Sequence, residues 1–146
     1  MNGIGHERDK HKVASVYSSN SPSDSDRSVY GMTMRTKETE EEYQLAKKNG
    51  DIENLTEVEP KFKWTYWNLI SNRFPHDKIN TNHDIIVLRR ECDLWELTNY
   101  EIYELFREIL PFLDKHYDYL KLNFESMRSV NNVPHLHVCC LKGEYK

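Results

Sequence analysis

Val133-Pro134-His135-Leu136-His137-Val138-Cys139-Cys140-Leu141 is the stretch from which the fold is read. Written as a strand, it alternates, so His135, His137 and Cys139 point one way while Leu136, Val138 and Cys140 point the other. Two imidazoles and a thiol then share one surface, and the aliphatic residues between them fasten the strand to a core. Histidines spaced by two can supply a nucleophile and a neighbour that orients it. The same spacing also serves as partly exposed decoration or as an incidental metal scavenger, and the surrounding chain must decide.

Working outward, a loop from Glu125 to Asn132 delivers this strand, and Tyr119-Leu120-Lys121-Leu122-Asn123-Phe124 before it alternates as a further strand. Thr98-Asn99-Tyr100-Glu101 is a capping box that opens one strong amphipathic helix. Its apolar stripe, Tyr103, Leu105, Phe106, Ile109, Leu110, Leu113 and Tyr117, recurs at threes and fours and should pack on a sheet. Pro111 lies inside and should kink or shorten it. His116 near its end reads as a surface residue that complements the helix dipole. Upstream, Phe62 to Ile70 reads as the first strand, stopped at Pro75, and Asp77 to Asn82 reads as a turn. His83 to Leu88 reads as a second strand, antiparallel to the first. Trp64 and Tyr66 fit a core better than a base-stacking surface. Strands, a long helix and further strands give an α+β sheet with a helix on one face.

Thr36 to Gly50 places acids early, bases late and Asn-Gly at the end, which predicts a short helix, with a linker from Asp51 to Pro60. Residues 1–35 hold almost no bulky aliphatics and contain Ser18-Ser19-Asn20-Ser21-Pro22-Ser23-Asp24-Ser25-Asp26. Such a stretch cannot offset its own ordering entropy and is predicted to be a disordered tail, either a solvated spacer or a phosphorylation target. The predicted division is therefore a tail over 1–35, a short helix and linker over 36–60, and a folded domain over 61–146.

The chain has 146 residues, 30% of them charged, and a net charge of −4; its mean hydropathy is −0.82. That length allows one domain and a tail, and the polarity suits a partly unstructured chain. A negative balance without a basic patch argues against a nucleic acid partner. Three cysteines, Cys92, Cys139 and Cys140, form neither a spaced disulfide framework nor a Cys-x-x-Cys knuckle, which points to a reducing compartment. Neither a signal peptide nor a membrane span is legible, so the expectation is a soluble protein of the cytoplasm or nucleus.

Three ordered motifs carry a resemblance to a known family. The His135 stretch resembles the His-φ-His-φ-His-φ-φ motif (φ apolar) of the histidine-triad (HIT) superfamily, with Cys139 in the third histidine's place. Asn72-Arg73-Phe74-Pro75-His76-Asp77 is similar to that family's Asn-x-Phe-Pro-Tyr-Asp. His83-Asp84-Ile85-Ile86-Val87-Leu88-Arg89-Arg90 is similar to its His-x-Leu-φ-φ-Pro-Lys-Arg strand. The resemblance covers roughly residues 62 to 142.

It implies a HIT-like antiparallel sheet with one long packing helix, pairing as a homodimer, and a purine nucleotide or nucleotide conjugate as partner. By position His137 would be the nucleophile that attacks an α-phosphate and forms a nucleotidyl-histidine intermediate for water or another acceptor to resolve. His135 would stand behind it with its tautomer fixed. His83 and Asn123 would lie near the phosphates, as would Asn132, while Asn72, Phe74 and Pro75 would line the base and ribose side. Asp77 is a weaker candidate for ribose hydroxyls, and Arg73 suits a phosphate or a rim salt bridge equally. No cofactor or metal is implied.

Two departures bear on this. A thiol with a pKa of about 8.5 cannot serve as a cationic acid, so Cys139 should weaken leaving-group stabilisation. Family branches with glutamine at that position remain active transferases. Leu88 and Glu91 replace the usual proline and final histidine of the second motif. The competing readings are a nucleotide-binding or interaction module with the same fold and little turnover, and a zinc site made by His83, His135, His137 and Cys139.

Overall fold

The computed structural model describes residues 34–124 and 133–146. The predicted tail, apart from Met34 and Arg35, lies outside the described residues, as do the loop from Glu125 and Asn132 at its end. Met34–Lys146 form one compact unit.

Helix α1 (Lys37–Lys48) forms where the charge pattern predicts it: Thr36 caps its N-terminus, and Gly50, at φ 69°, follows its end. An acid from elsewhere in the chain anchors it. The Asp77 carboxylate accepts from Thr36 N (2.8 Å), Thr36 Oγ1 (3.2 Å) and Thr39 Oγ1 (2.6 Å). Arg35 belongs to this anchor and not to the tail, because its Nε donates to Phe74 O at 2.9 Å.

The predicted first strand is two strands. β1 (Phe62–Lys63) folds back on β2 (Trp67–Ser71), with Phe62 opposite Leu69. No turn residue marks the reversal, since it is held from a distance: the buried Glu104 carboxylate accepts from Thr65 N (3.2 Å) and Tyr66 N (2.7 Å), and Arg89 donates to Trp64 O and Thr65 O. β3 (Asn80–Leu88) starts three residues before the predicted point, because its polar first residues pair with Leu141 and Cys140 of the last strand across a bulge.

The long helix is capped as predicted by the Thr98–Glu101 box, and its first part, α2, spans Asn99–Glu104. A π-helical turn (Leu105–Ile109) then leads into α3 (Leu110–Asp114). Pro111 therefore does not end the helix: the wide turn, in which Leu110 N donates to Leu105 O, absorbs the proline's missing donor. The extra residue also shifts the helical phase. Leu105, Ile109 and Leu113 are buried, while Tyr103 and Phe106, predicted in the stripe, are about 60% exposed at 61% and 60%.

β4 (Tyr119–Lys121) and β5 (His135–Leu141) complete an antiparallel sheet of order β1-β2-β3-β5-β4. The architecture is α+β. On one sheet face Trp67, Leu69, Ile86, Leu88, Leu136 and Val138 pack against Leu105, Ile109 and Leu113. Each such aliphatic side chain stabilises the fold by roughly 1.5–3 kcal/mol through burial. Ile70, Ile85, Val87 and Val133 form a smaller cluster with Leu55 and Val58 on the other face, the one that carries the histidines. Among the described residues no helix is long and apolar enough to cross a membrane.

Candidate functional site

The register builds the site row by row. β5 lies between β3 and β4, so His137 stands beside Ile85 and Lys121, while Cys139 stands beside His83 and Tyr119. As the alternation predicts, His135, His137 and Cys139 share a face opposite Leu136 and Val138. All three are buried, with His135 5%, His137 8% and Cys139 0% exposed.

His83 and His137 touch, with His83 Nε2 at 2.7 Å from His137 Nδ1. His76, on the segment between β2 and β3, closes the group. Its ring centroid is 4.5 Å from that of His83 and 5.6 Å, nearly parallel at 20°, from that of His137. His135 meets His137 edge-on at 5.4 Å. Asn72 supports the group from the side: its Oδ1 accepts from Phe74 N (3.0 Å), which turns Nδ2 toward His83 at 3.3 Å from both ring nitrogens.

Two main-chain groups settle where the protons are. The His76 backbone N–H, which can only donate, lies 2.8 Å from His83 Nδ1, so that nitrogen carries a lone pair and His83 is protonated at Nε2. His83 Nε2 thus donates to His137 Nδ1, and neutral His137 carries its own proton on Nε2. The Val133 carbonyl, which can only accept, lies 2.8 Å from His135 Nδ1, so His135 has the opposite tautomer. A main-chain bond therefore fixes the His135 ring.

The cluster is neutral at pH 7. Burial first, and then the charge of Lys121 together with neighbouring groups, lowers His76 to about 3 and His83 to about 4. His137 is lowered to about 2, by burial first and then by the surrounding histidines and Lys121. The Cys139 thiol is pushed up, mainly by burial, and stays protonated. It lies against Tyr119, whose hydroxyl donates to Asn80 Oδ1 at 2.9 Å.

The other sequence candidates divide. Asn72 and His83 reach the cluster. Phe74 is 7% exposed, buried with Tyr43 and Ala46 under α1, and so serves packing. Pro75 and Asn123 are half-buried, next to His76 and just beyond β4 respectively. Asn132 lies outside the described residues. Asp77 is occupied as the α1 anchor, accepting from Thr36 and Thr39. Arg73 takes the salt-bridge reading, with Nη2 3.0 Å from Asp51 Oδ2. Trp64 and Tyr66 pack on the core, as predicted.

Sequence reasoning passed over His76 and Lys121. Lys121 Nζ lies 2.6 Å from His76 Nδ1. Lys121 sits two residues before Asn123 and therefore on the same face of a strand, which was the available signal. The zinc alternative is not assembled: His83 and His137 spend their facing nitrogens on each other. Among the described residues no group of three or more His, Cys, Asp or Glu side chains is arranged to hold a metal ion. No protein-family model, no curated protein and no solved structure matches this chain.

Proposed function

We propose that the chain is a HIT-like nucleotide-handling protein, a hydrolase or nucleotidyl transferase that acts at an α-phosphate through His137. The observation that carries this reading is the buried His76–His83–His137 group, held neutral beside Lys121. Attack on phosphorus needs an unprotonated imidazole, and lowered pKa values keep these rings in that form at pH 7. The lone pair of His137 would form the N–P bond while the leaving group departs with the electrons of its own bond to phosphorus. Water or another acceptor would then break the N–P bond.

One observation favours the second reading, a nucleotide-binding module with little turnover. In the tautomer described, His137 Nε2 presents a proton and its lone pair faces His83. That arrangement suits donation to a phosphate oxygen. Attack through Nε2 first requires His83 to leave the His76 amide and the tautomers to exchange, which slows the chemistry.

The test is to incubate the full chain with adenosine 5′-phosphoramidate, quench, and seek a nucleotidyl adduct by mass spectrometry. An adduct on His137 and AMP release, both abolished in His137→Ala, support the enzyme. AMP binding with neither adduct nor release moves the assignment to the binding module. Absence of binding to any purine nucleotide overturns both.

A further inference from the structure

Among the described residues no acid is paired with the Lys121 ammonium. This side chain is half-buried on the histidine face, opposite His137 in the β4–β5 ladder, with Nζ directed at His76 Nδ1. Several other part-buried cations of this unit do meet acids, as Arg35 meets Glu40, Lys61 meets Asp84 and Arg90 meets Glu101, whereas Arg89 meets the Trp64 and Thr65 carbonyls. Among the described residues Lys121 has no carboxylate partner, and two of its three ammonium protons have no acceptor. Asp77, the acid whose field reaches His76, is spent on Thr36 and Thr39.

Partly desolvating an ammonium without an opposite charge is unfavourable, and an arriving anion removes that cost. The same face offers a second donor of the right kind in His137 Nε2–H. It offers no competing positive charge at the third triad position, where Cys139 is a neutral, fully buried thiol. His76 links the two donors. Its Nδ1 accepts from Lys121, and its ring lies nearly parallel to that of His137, so it steadies the ammonium beside the imidazole.

We infer that Lys121, steadied by His76, is the cation that receives the phosphate group presented to His137 and so supplies the charge that Cys139 cannot carry. This rests on reading the histidine face as a phosphate site. The recognised chemistry is a phosphate mono- or dianion, either on a nucleotide or free.

Calorimetric titrations of the full chain with AMP, adenosine and inorganic phosphate, on the wild type, Lys121→Met and Lys121→Arg, decide the matter. The expected result is that Lys121→Met weakens AMP about tenfold or more and leaves adenosine unchanged, while Lys121→Arg retains most of the affinity. Equal AMP affinity in wild type and Lys121→Met overturns the inference and leaves the proposed function standing. If the wild type binds inorganic phosphate but no nucleotide, and Lys121→Met loses that binding, Lys121 keeps its role and the nucleotide reading falls. Binding of neither by the wild type overturns both. Should Lys121→Met not fold, the unmodified protein answers through 15N NMR of the His76 ring. A phosphate-dependent shift supports the assignment, and no shift at saturating phosphate overturns it.

Discussion

His83 and His137 share one proton across 2.7 Å, and the main chain of His76, not either ring, decides which of them holds it. Long-range 1H–15N spectra at pH 7 should show His83 and His137 protonated at Nε2 and His135 at Nδ1. Removing the donor with His83→Ala should release His137 to populate both tautomers. A wild-type His137 found protonated at Nδ1 would contradict the order of protons and restore a ready nucleophile.

The buried rings make stability depend on pH in a definite direction. Their folded pKa values, about 3, 4 and 2 for His76, His83 and His137, lie below the ordinary 6.5. Between those limits the unfolded chain takes up protons that the native one refuses, so stability is full above about 6.5 and is lost as pH falls. Urea denaturation at pH 7 and pH 5 should show the folding constant drop about 25-fold for each histidine that stays neutral. Most carboxylates remain ionised over this range, so they add little to the change. A constant unfolding midpoint between the two pH values would refute the buried cluster.

Cys139→His, which would complete the triad by sequence, should damage the protein instead of activating it. The side chain is fully buried beside Tyr119, so the larger imidazole must displace its neighbours. Overpacking there should cost about 1–3 kcal/mol, read as a lower melting temperature, with no gain in nucleotide release. Cys139→Ala should fold close to normally and retain whatever turnover the wild type has.

Glu104→Ala should destabilise the domain more than an ordinary helix substitution. Its carboxylate is the acceptor for Thr65 N and Tyr66 N, and truncation leaves both amides without it. A loss of about 1–3 kcal/mol is expected by chemical denaturation, with Glu104→Gln intermediate because one acceptor remains. Hydrogen exchange should quicken at Thr65 and Tyr66 first.

Local chemistry was legible in this sequence, and long-range chemistry was not. The alternation from His135 to Cys139, the Thr98–Glu101 box and the acid-to-base gradient of Lys37–Lys48 each reside in a few adjacent residues, and each element forms where they indicate. The reversal between Lys63 and Trp67 was hidden because Glu104 and Arg89 hold it from afar. Asn80 to Asn82 resemble a turn until β5 arrives beside them. That Tyr103 and Phe106 stay exposed depends on which helix face the sheet meets, the one bearing Leu105, Ile109 and Leu113. At the site, His135, His137 and His83 were readable from motif spacing, whereas the meeting of His76 with Lys121 depends on two segments 45 positions apart.

The place of β5 inside the sheet has a consequence for synthesis. β4 pairs with β5, and β5 also pairs with β3, so the sheet cannot close until Leu141 has left the ribosome. Such non-local pairing is slow to nucleate and leaves earlier strands with bare edges while the chain waits. The strand that brings the imidazoles is therefore also the one that ends this exposure. A nascent chain stalled before His135 should be bound by chaperones, and one released after Leu141 should escape them.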